Sequence, residues 1–173
     1  MSAILETARL ILRAPRLSDA SAYAVGVGDY EVVRFLTSVP HPYTTEMARA
    51  WLAKAPKNTP ERNLFTIECD GEVIGSISLI NELGFWLARP HWGKGYMTEA
   101  ARRLIAWHFA ETTASQVRSS AHHDNSASLR VQMKLGFAEI GRAPRFSQAL
   151  QRNIEHVETR LTRAAFQQGE PAR

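Results

Sequence analysis

One cysteine, Cys69, stands in a chain of 173 residues. A lone thiol closes no internal disulfide and builds no cysteine-based zinc cage. No stretch of about 18 apolar residues occurs, so no helical membrane span is expected. The first residues, Met1-Ser2-Ala3-Ile4-Leu5-Glu6, lack the basic segment and apolar core of a secretory signal, and the expected compartment is the cytoplasm. Repeats, low-complexity segments and linkers are also missing, so 1–173 reads as one domain, with a core over about 5–163 and a loose polar tail from Gln167. The net charge of +4 is spread along the chain, with no block of like charge to serve as a tail. It suits a polyanionic partner, but no basic-aromatic interleaving or metal-ligand spacing accompanies it. Specific nucleic-acid binding and a bound metal are therefore not expected.

What is present is an alternation of helical and strand patterns. Arg9–Arg13 reads as a strand ended by Pro15, and Ser18-Asp19 as the cap of a helix through Val27. A short helix with Val32, Val33 and Leu36 follows. After the stiff Pro40–Tyr43 loop, Thr44-Thr45 caps a third helix with Met47, Ala50, Trp51 and Leu52 on one face. Leu64–Cys69 and Val73–Ile80 form a hairpin around Asp70-Gly71. A strand over Leu83–Ala88 carries Gly84 as a candidate bulge. Beyond it come a helix with Ala101, Leu104, Ile105, His108 and Phe109 on one side, a strand over Gln116–Ala121, and a helix over Asn125–Leu135 closed by Gly136. Strands over Phe137–Gly141 and Asn153–Thr162 complete the pattern. The order predicts a mixed α/β domain (α+β) around one mostly antiparallel sheet.

Two segments carry chemistry. Trp92-Gly93-Lys94-Gly95-Tyr96-Met97-Thr98-Glu99-Ala100 follows a strand and opens a helix. Two glycines at such a turn let backbone N–H groups converge beside the positive end of the helix dipole, a cradle for phosphate. The same glycines equally suit a tight turn that needs positive φ. The segment is not a P-loop, because Gly95 stands where Ser or Thr would follow Gly-Lys, and it lacks the third glycine of a dinucleotide fingerprint. The second segment is His122-His123-Asp124-Asn125-Ser126-Ala127-Ser128. Asn125 and Ser128 lie one helical turn apart, so either both cap the helix or one caps it while the other reaches a ligand.

Taken together, strand, Trp92-Gly93-Lys94-Gly95-Tyr96, helix, strand, Asn125-x-x-Ser128 and Lys134-Leu135-Gly136-Phe137 resemble the GNAT superfamily of acyl-CoA-dependent N-acyltransferases. Thr7–Arg13, Pro42-Tyr43-Thr44, Trp51-Leu52 and Leu83–Leu87 resemble the branch that includes ribosomal-protein-alanine N-acetyltransferases. The family's loop pattern, Gln/Arg-x-x-Gly-x-Gly/Ala, is met at Gly95, while Trp92 and Met97 depart from it. The resemblance implies a single domain whose central, mixed, mostly antiparallel twisted sheet is flanked by helices. It also implies acetyl-CoA as co-substrate. Backbone groups of Gly93, Lys94, Gly95, Tyr96, Met97 and Thr98 would hold the pyrophosphate. The strand ending at Trp86, Leu87 and Ala88 would pair with pantetheine as an added strand. Asn125 would contact pantetheine and Ser128 would lie near the sulfur. Homodimers are frequent among similar proteins, so a homodimer is compatible with the resemblance.

Acetyl transfer to a primary amine needs a neutral nitrogen, an oxyanion donor and relief of the leaving thiolate. Ser128 is the candidate hydroxyl donor to the thiolate. Ser147 stands where the similar branch has a glutamate base, which makes Glu82 the substitute candidate, alongside His41, His122, His123 and Glu155. The expected activity is transfer from acetyl-CoA to an amine acceptor, a protein N-terminus or a small molecule such as an antibiotic. A CoA-binding regulatory protein without turnover is the alternative from another class.

Overall fold

Strands β3 (Asn63–Cys69) and β4 (Glu72–Leu79) anchor the centre of the computed structural model, which describes residues 3–169. Their hairpin turns through Asp70 and Gly71, both with positive φ of 51° and 81°, the geometry that favours Asp-Gly. β1 (Leu5–Glu6) and β2 (Ile11–Arg13) extend the sheet on one side, and β5 (Leu83–Leu87) and β6 (Gln116–His122) on the other. β7 (Ala138–Ser147) and β8 (Arg152–Thr162) complete eight strands in the order β1-β2-β3-β4-β5-β6-β8-β7. All neighbours are antiparallel except β5 and β6. The chain is thus a single α/β domain around an open, mostly antiparallel mixed sheet.

Helices cover both faces. Phe65, Ile77 and Phe85 are cross-strand neighbours, and Phe65 meets Trp107 of α4 (Tyr96–Glu111) edge-on at 5.7 Å. α4 buries Ala100, Ala101, Leu104, Ile105 and Phe109 at helical spacing. On the opposite face lie α1 (Ala20–Gly28), the short α2 (Tyr30–Val33) and α3 (Thr45–Leu52). There Tyr23 meets the Trp86 ring edge-on at 5.1 Å, and its hydroxyl lies 2.9 Å from Thr66 Oγ1. α5 (Ser126–Lys134) follows β6, and α6 (Arg163–Gln168) ends the described chain. Among the described residues, no helix is long and apolar enough to cross a membrane.

Several local expectations are corrected. Leu17–Asp19 form a 3-10 turn, and α1 begins at Ala20. Asp19 makes no side-chain cap to α1, because its carboxylate is held by buried Arg13 at 2.8 Å from both Nη1 and Nη2. α3 buries Ala48 and Leu52, whereas Met47 and Trp51 stay exposed. Gly84 pairs in continuous register with Ser78, so it is not a bulge; the register shifts fall at 67–68 and 139–141. β7 runs on to Ser147, since its long antiparallel ladder with β8 supports it even through Pro144. The β1 strand was not signalled, being only two residues long. Gln167 and Gln168 of the expected loose tail belong to α6, anchored by buried Phe166 against Phe109 at 5.7 Å; 170–173 lie outside the described residues.

Candidate active site

β5 and β6 meet at one register pair, Leu83 and Ser119, where the Ser119 hydroxyl donates to the Leu83 carbonyl at 2.8 Å. Past that pair the parallel strands part, and the edge of β5 facing β6 goes unpaired. The Leu83 carbonyl points to that edge. So does the Leu87 carbonyl, which accepts from Trp92 Nε1 at 2.6 Å. The two-residue period of a strand places the Phe85 N–H and C=O on the same edge, between two carbonyls already engaged. The opening continues into a cleft of about 600 Å³ lined by Phe85, Trp86, Leu87, the start of α4 and the first turns of α5.

The glycine turn lies at one end of this cleft. Gly93 and Gly95 have φ of 74° and 79°, a left-handed conformation that a side chain resists. No heavy atom lies within 4 Å of the position a Gly93 Cβ would take, so space is open above the turn. The first helical bond of α4 runs from the Glu99 N–H to the Gly95 carbonyl at 3.1 Å. The N–H groups of Tyr96, Met97 and Thr98 precede it and have no intrahelical partner. No side chain caps them. The open turn and these free donors fit a pyrophosphate, and Arg34, Arg130 and Lys134 on the cleft walls supply positive charge.

Arg9 braces the turn from behind. It donates to the Lys94 carbonyl at 3.0 Å, reaches Glu99 Oε2 at 2.6 Å and lies over the Tyr96 ring at 4.6 Å. Burial alone would raise the Glu99 carboxyl, but hydrogen bonds from Thr7 and Arg9 outweigh it and hold that group below the usual carboxylate range.

At the other end of the cleft Asn125 caps α5, its Oδ1 accepting the Ser128 N–H at 3.1 Å. That leaves the Ser128 side chain for the cleft. Ser128 Oγ accepts from Gln132 Nε2 at 3.3 Å, and Gln132 Oε1 accepts from the Thr159 hydroxyl at 2.6 Å. Gln132 is buried, so this chain fixes Ser128 with its own proton free to donate. Asn125, Ser128, Phe35, Leu36 and Phe85 also line a second, smaller cavity of about 120 Å³, walled further by Glu82, Ser120 and His156. The two spaces meet beside Ser128.

Glu82 stands at the small cavity but is heavily engaged. Arg145 donates to its two oxygens at 2.6 and 3.1 Å, and Ser120 to Oε1 at 3.1 Å. Arg145 also approaches Glu158 at 3.5 Å, and these bonds, ahead of the cost of burial, raise its own pKa. His156 is 5% exposed, and its Nδ1 is buried without a partner. Burial first, then Arg145 and His122, push this imidazole down to about 4, against the opposing pull of Glu82.

The sequence candidates are thus sorted by position. Trp86, Leu87, Gly93, Gly95, Tyr96, Met97, Thr98, Asn125 and Ser128 line the large cleft. The Trp86 ring itself turns to the opposite face, where it packs on Tyr23 and Gly26. Ala88 and Lys94 do not line the cleft; Ala88 donates to the Ile74 carbonyl, and Lys94 lends its carbonyl to Arg9. Ser147 Oγ accepts the Leu150 N–H at 3.2 Å and shapes the β7–β8 turn. His41 packs on Tyr30, and Glu155 pairs with Arg142. His122, His123 and Asp124 bring metal-ligand atoms within 4.8 Å of one another. His122 Nδ1, however, accepts the Asp124 N–H, and His123 Nδ1 is 2.9 Å from the Asp124 carboxylate. Sequence pattern alone does not point to Arg145 or His156, and points to Gln132 only weakly. Gln132 lies four residues beyond Ser128, a spacing that signals contact on a helix. The other two come from β7 and β8, far from the motifs in sequence.

Residues 9–138 match the Acetyltransferase (GNAT) domain family. An uncharacterized N-acetyltransferase, p20, of Bacillus licheniformis is 29% identical over 164 residues, 87% of this chain and 91% of that protein. The structure resembles that of Mycobacterium smegmatis RimJ in complex with CoA-disulfide, with a TM-score of 0.78 and 19% identity over 90% of this chain and 82% of that one. It also resembles a ribosomal-protein-S5-alanine acetyltransferase from Vibrio fischeri, with a TM-score of 0.76 and 20% identity over 93% and 97% of the two chains. An open strand edge, a phosphate-sized turn at a helix start and a match over 9–138 converge on one conclusion: the chain belongs to the GNAT acetyltransferase family and is an N-acetyltransferase.

Proposed function

We propose that the large cleft binds acetyl-CoA and that the acetyl group passes directly to a primary amine, the α-amine of a protein N-terminus, within a ternary complex. The divergence of β5 and β6 after Leu83–Ser119 carries this reading. It opens a strand edge for pantetheine between the glycine turn and Ser128. The turn over 93–98 takes the pyrophosphate, through backbone groups of Gly93, Gly95, Tyr96, Met97 and Thr98, and the Lys94 peptide is held in shape by Arg9. Pantetheine lies along Phe85–Leu87, with the Asn125 amide nitrogen beside it.

The thioester carbonyl then sits between the β5 edge and Ser128. The Phe85 N–H is the donor for the developing oxyanion. The amine nitrogen attacks the carbonyl carbon, the C–S bond breaks, and Ser128 donates its proton to the departing thiolate. The thiolate has a pKa near about 8.5, so this help is modest. An α-amine, with a pKa near about 8, yields more neutral nucleophile at pH 7 than a lysine near about 10. A cavity of about 120 Å³ next to Ser128 admits the end of a chain or a small amine, not a bulky aromatic acceptor. Glu82 orders this acceptor side through Arg145 and Ser120. The Vibrio fischeri neighbour is a ribosomal-protein-S5-alanine acetyltransferase, which favours the protein α-amine among the acceptors.

Acetyl-CoA at saturation should raise the melting temperature, as any ligand selective for the folded state does. Free-thiol release should follow with a panel of N-terminal peptides and small amines. No melting shift would end the acetyl-CoA assignment. A shift without thiol release from any amine would favour a CoA-binding regulator. Release with small amines alone would move the acceptor away from protein.

A further inference from the structure

The acceptor cavity holds one polar group with no structural employment. His156 is buried on β8, opposite His122 of β6 and Ala143 of β7. Its Nδ1 has no hydrogen-bond partner, although buried polar atoms ordinarily find one. The ring lines the small cavity, which Ser128 and Phe85 also line. The carboxylate beside it, Glu82, already accepts from Arg145 and Ser120, which leaves it poorly placed to take a proton. None of His41, His123 and Glu155 lines either cavity.

We propose that His156 is the catalytic base for the acceptor: its Nε2, the ring nitrogen that is not closed off, receives a hydrogen bond from the attacking amine and takes that nitrogen's proton as the C–N bond forms. This rests on the acetyl-transfer reading above. The balance is complete. One N–H proton passes to His156, the thiolate leaves with a proton from Ser128, and His156 returns its proton to water, from which Ser128 is restored.

The groups facing the ring decide its charge. They are Arg145 from β7, His122 from β6 with His123 just beyond it, and Glu82 from the segment before β5. Arg145 and His122 oppose protonation and Glu82 favours it, so the ring enters the reaction neutral with its lone pair available. Its weakness as a base matches the step. Once the amine nitrogen has committed its lone pair to the carbonyl carbon, its N–H is far more acidic than in a free ammonium. A buried imidazolium then releases the proton readily.

His156→Asn keeps a polar side chain at this position but cannot carry a proton. With alaninamide as acceptor probe, thiol release by this variant should fall about 100-fold or more in kcat. Its KM for alaninamide and its acetyl-CoA-induced melting shift should stay at wild-type values. Undiminished kcat would overturn the assignment to His156 while leaving acetyl transfer intact. No thiol release by the wild-type protein from any amine of the panel would overturn the transfer reading, and this assignment with it. Should the variant not fold, the wild-type protein gives the answer by nitrogen NMR. The His156 Nε2 resonance should shift when alaninamide is added to the CoA complex. A stationary resonance would overturn the proposal.

Discussion

The Arg9 guanidinium lies 2.6 Å from Glu99 Oε2, tying the segment before β2 to the first turn of α4. The same guanidinium holds the Lys94 carbonyl, so the glycine turn is fixed from the side away from the cleft. An exposed ion pair by itself contributes about 1 kcal/mol or less to stability. Its larger effect is to hold the turn in its binding shape. Arg9→Ala should weaken acetyl-CoA binding about 10-fold with little change in the melting temperature of the free protein. Arg9→Lys should not restore it, because an ammonium cannot span Glu99 and the Lys94 carbonyl with a planar fork. Calorimetric titration of the three proteins with acetyl-CoA checks both outcomes.

Ser128 and Gln132 act as a unit. Ser128→Ala removes the proton offered to the thiolate and should lower kcat about 10-fold, with acetyl-CoA affinity retained. Gln132→Leu removes the group that orients the Ser128 hydroxyl and should lower kcat by less. The double variant should be no slower than Ser128→Ala, because the second change then has nothing left to orient. Additive losses would give Gln132 a separate role. Single-turnover thiol release measures all three.

Local pattern carried the sequence reading a long way at the donor side. The two glycines, the α4 periodicity and the Asn125 cap are all short-range signals, and the turn, the helix and the cap formed at those positions. Signals failed where a distant partner intervened. Asp19 resembles a helix cap in sequence because nothing local shows that it and Glu68 converge on Arg13. The acceptor side was opaque for the same reason. Glu82, Ser120 and His156 line one cavity, with Arg145 bonded to Glu82; they come from four separate segments that only the β5–β6 pair and the β6–β8–β7 register bring together. A lone histidine in an alternating strand carries no mark of an unpartnered nitrogen.

Asp19 is a buried acid paired with buried Arg13, and it also accepts from the Arg16 N–H at 2.8 Å. Burial would raise its pKa, but Arg13, the Arg16 N–H and Thr66 outweigh that and lower it below 3.8. A carboxylate with a depressed folded pKa contributes stability that is fully present above the unfolded pKa and lost as pH falls through the folded one. Acid unfolding should therefore steepen below about pH 4. Asp19→Asn should cost about 3 kcal/mol at pH 7, since it leaves Arg13 buried with Glu68 alone, and should flatten the acid limb. Urea denaturation across pH 2 to about 7 reads both effects.

His156 gives the opposite kind of acid sensitivity at higher pH. Its ring is held at about 4 in the folded chain, against 6.5 for the free side chain. Below 6.5 the unfolded chain therefore binds a proton that the folded chain refuses, and stability falls with pH until the folded ring protonates near 4. The loss over this window has an upper limit of about 3 kcal/mol. His122, lowered first by its own burial and next by His123, adds to it in the same direction. His156→Asn removes the larger part, so its unfolding midpoint in urea should vary less between pH 7 and pH 4 than that of the wild-type protein, with the curves drawing together toward pH 4. Parallel curves would show that the ring protonates in the folded state as easily as in the unfolded one. That outcome would leave His156 charged at mildly acidic pH and unable to accept the amine's proton there.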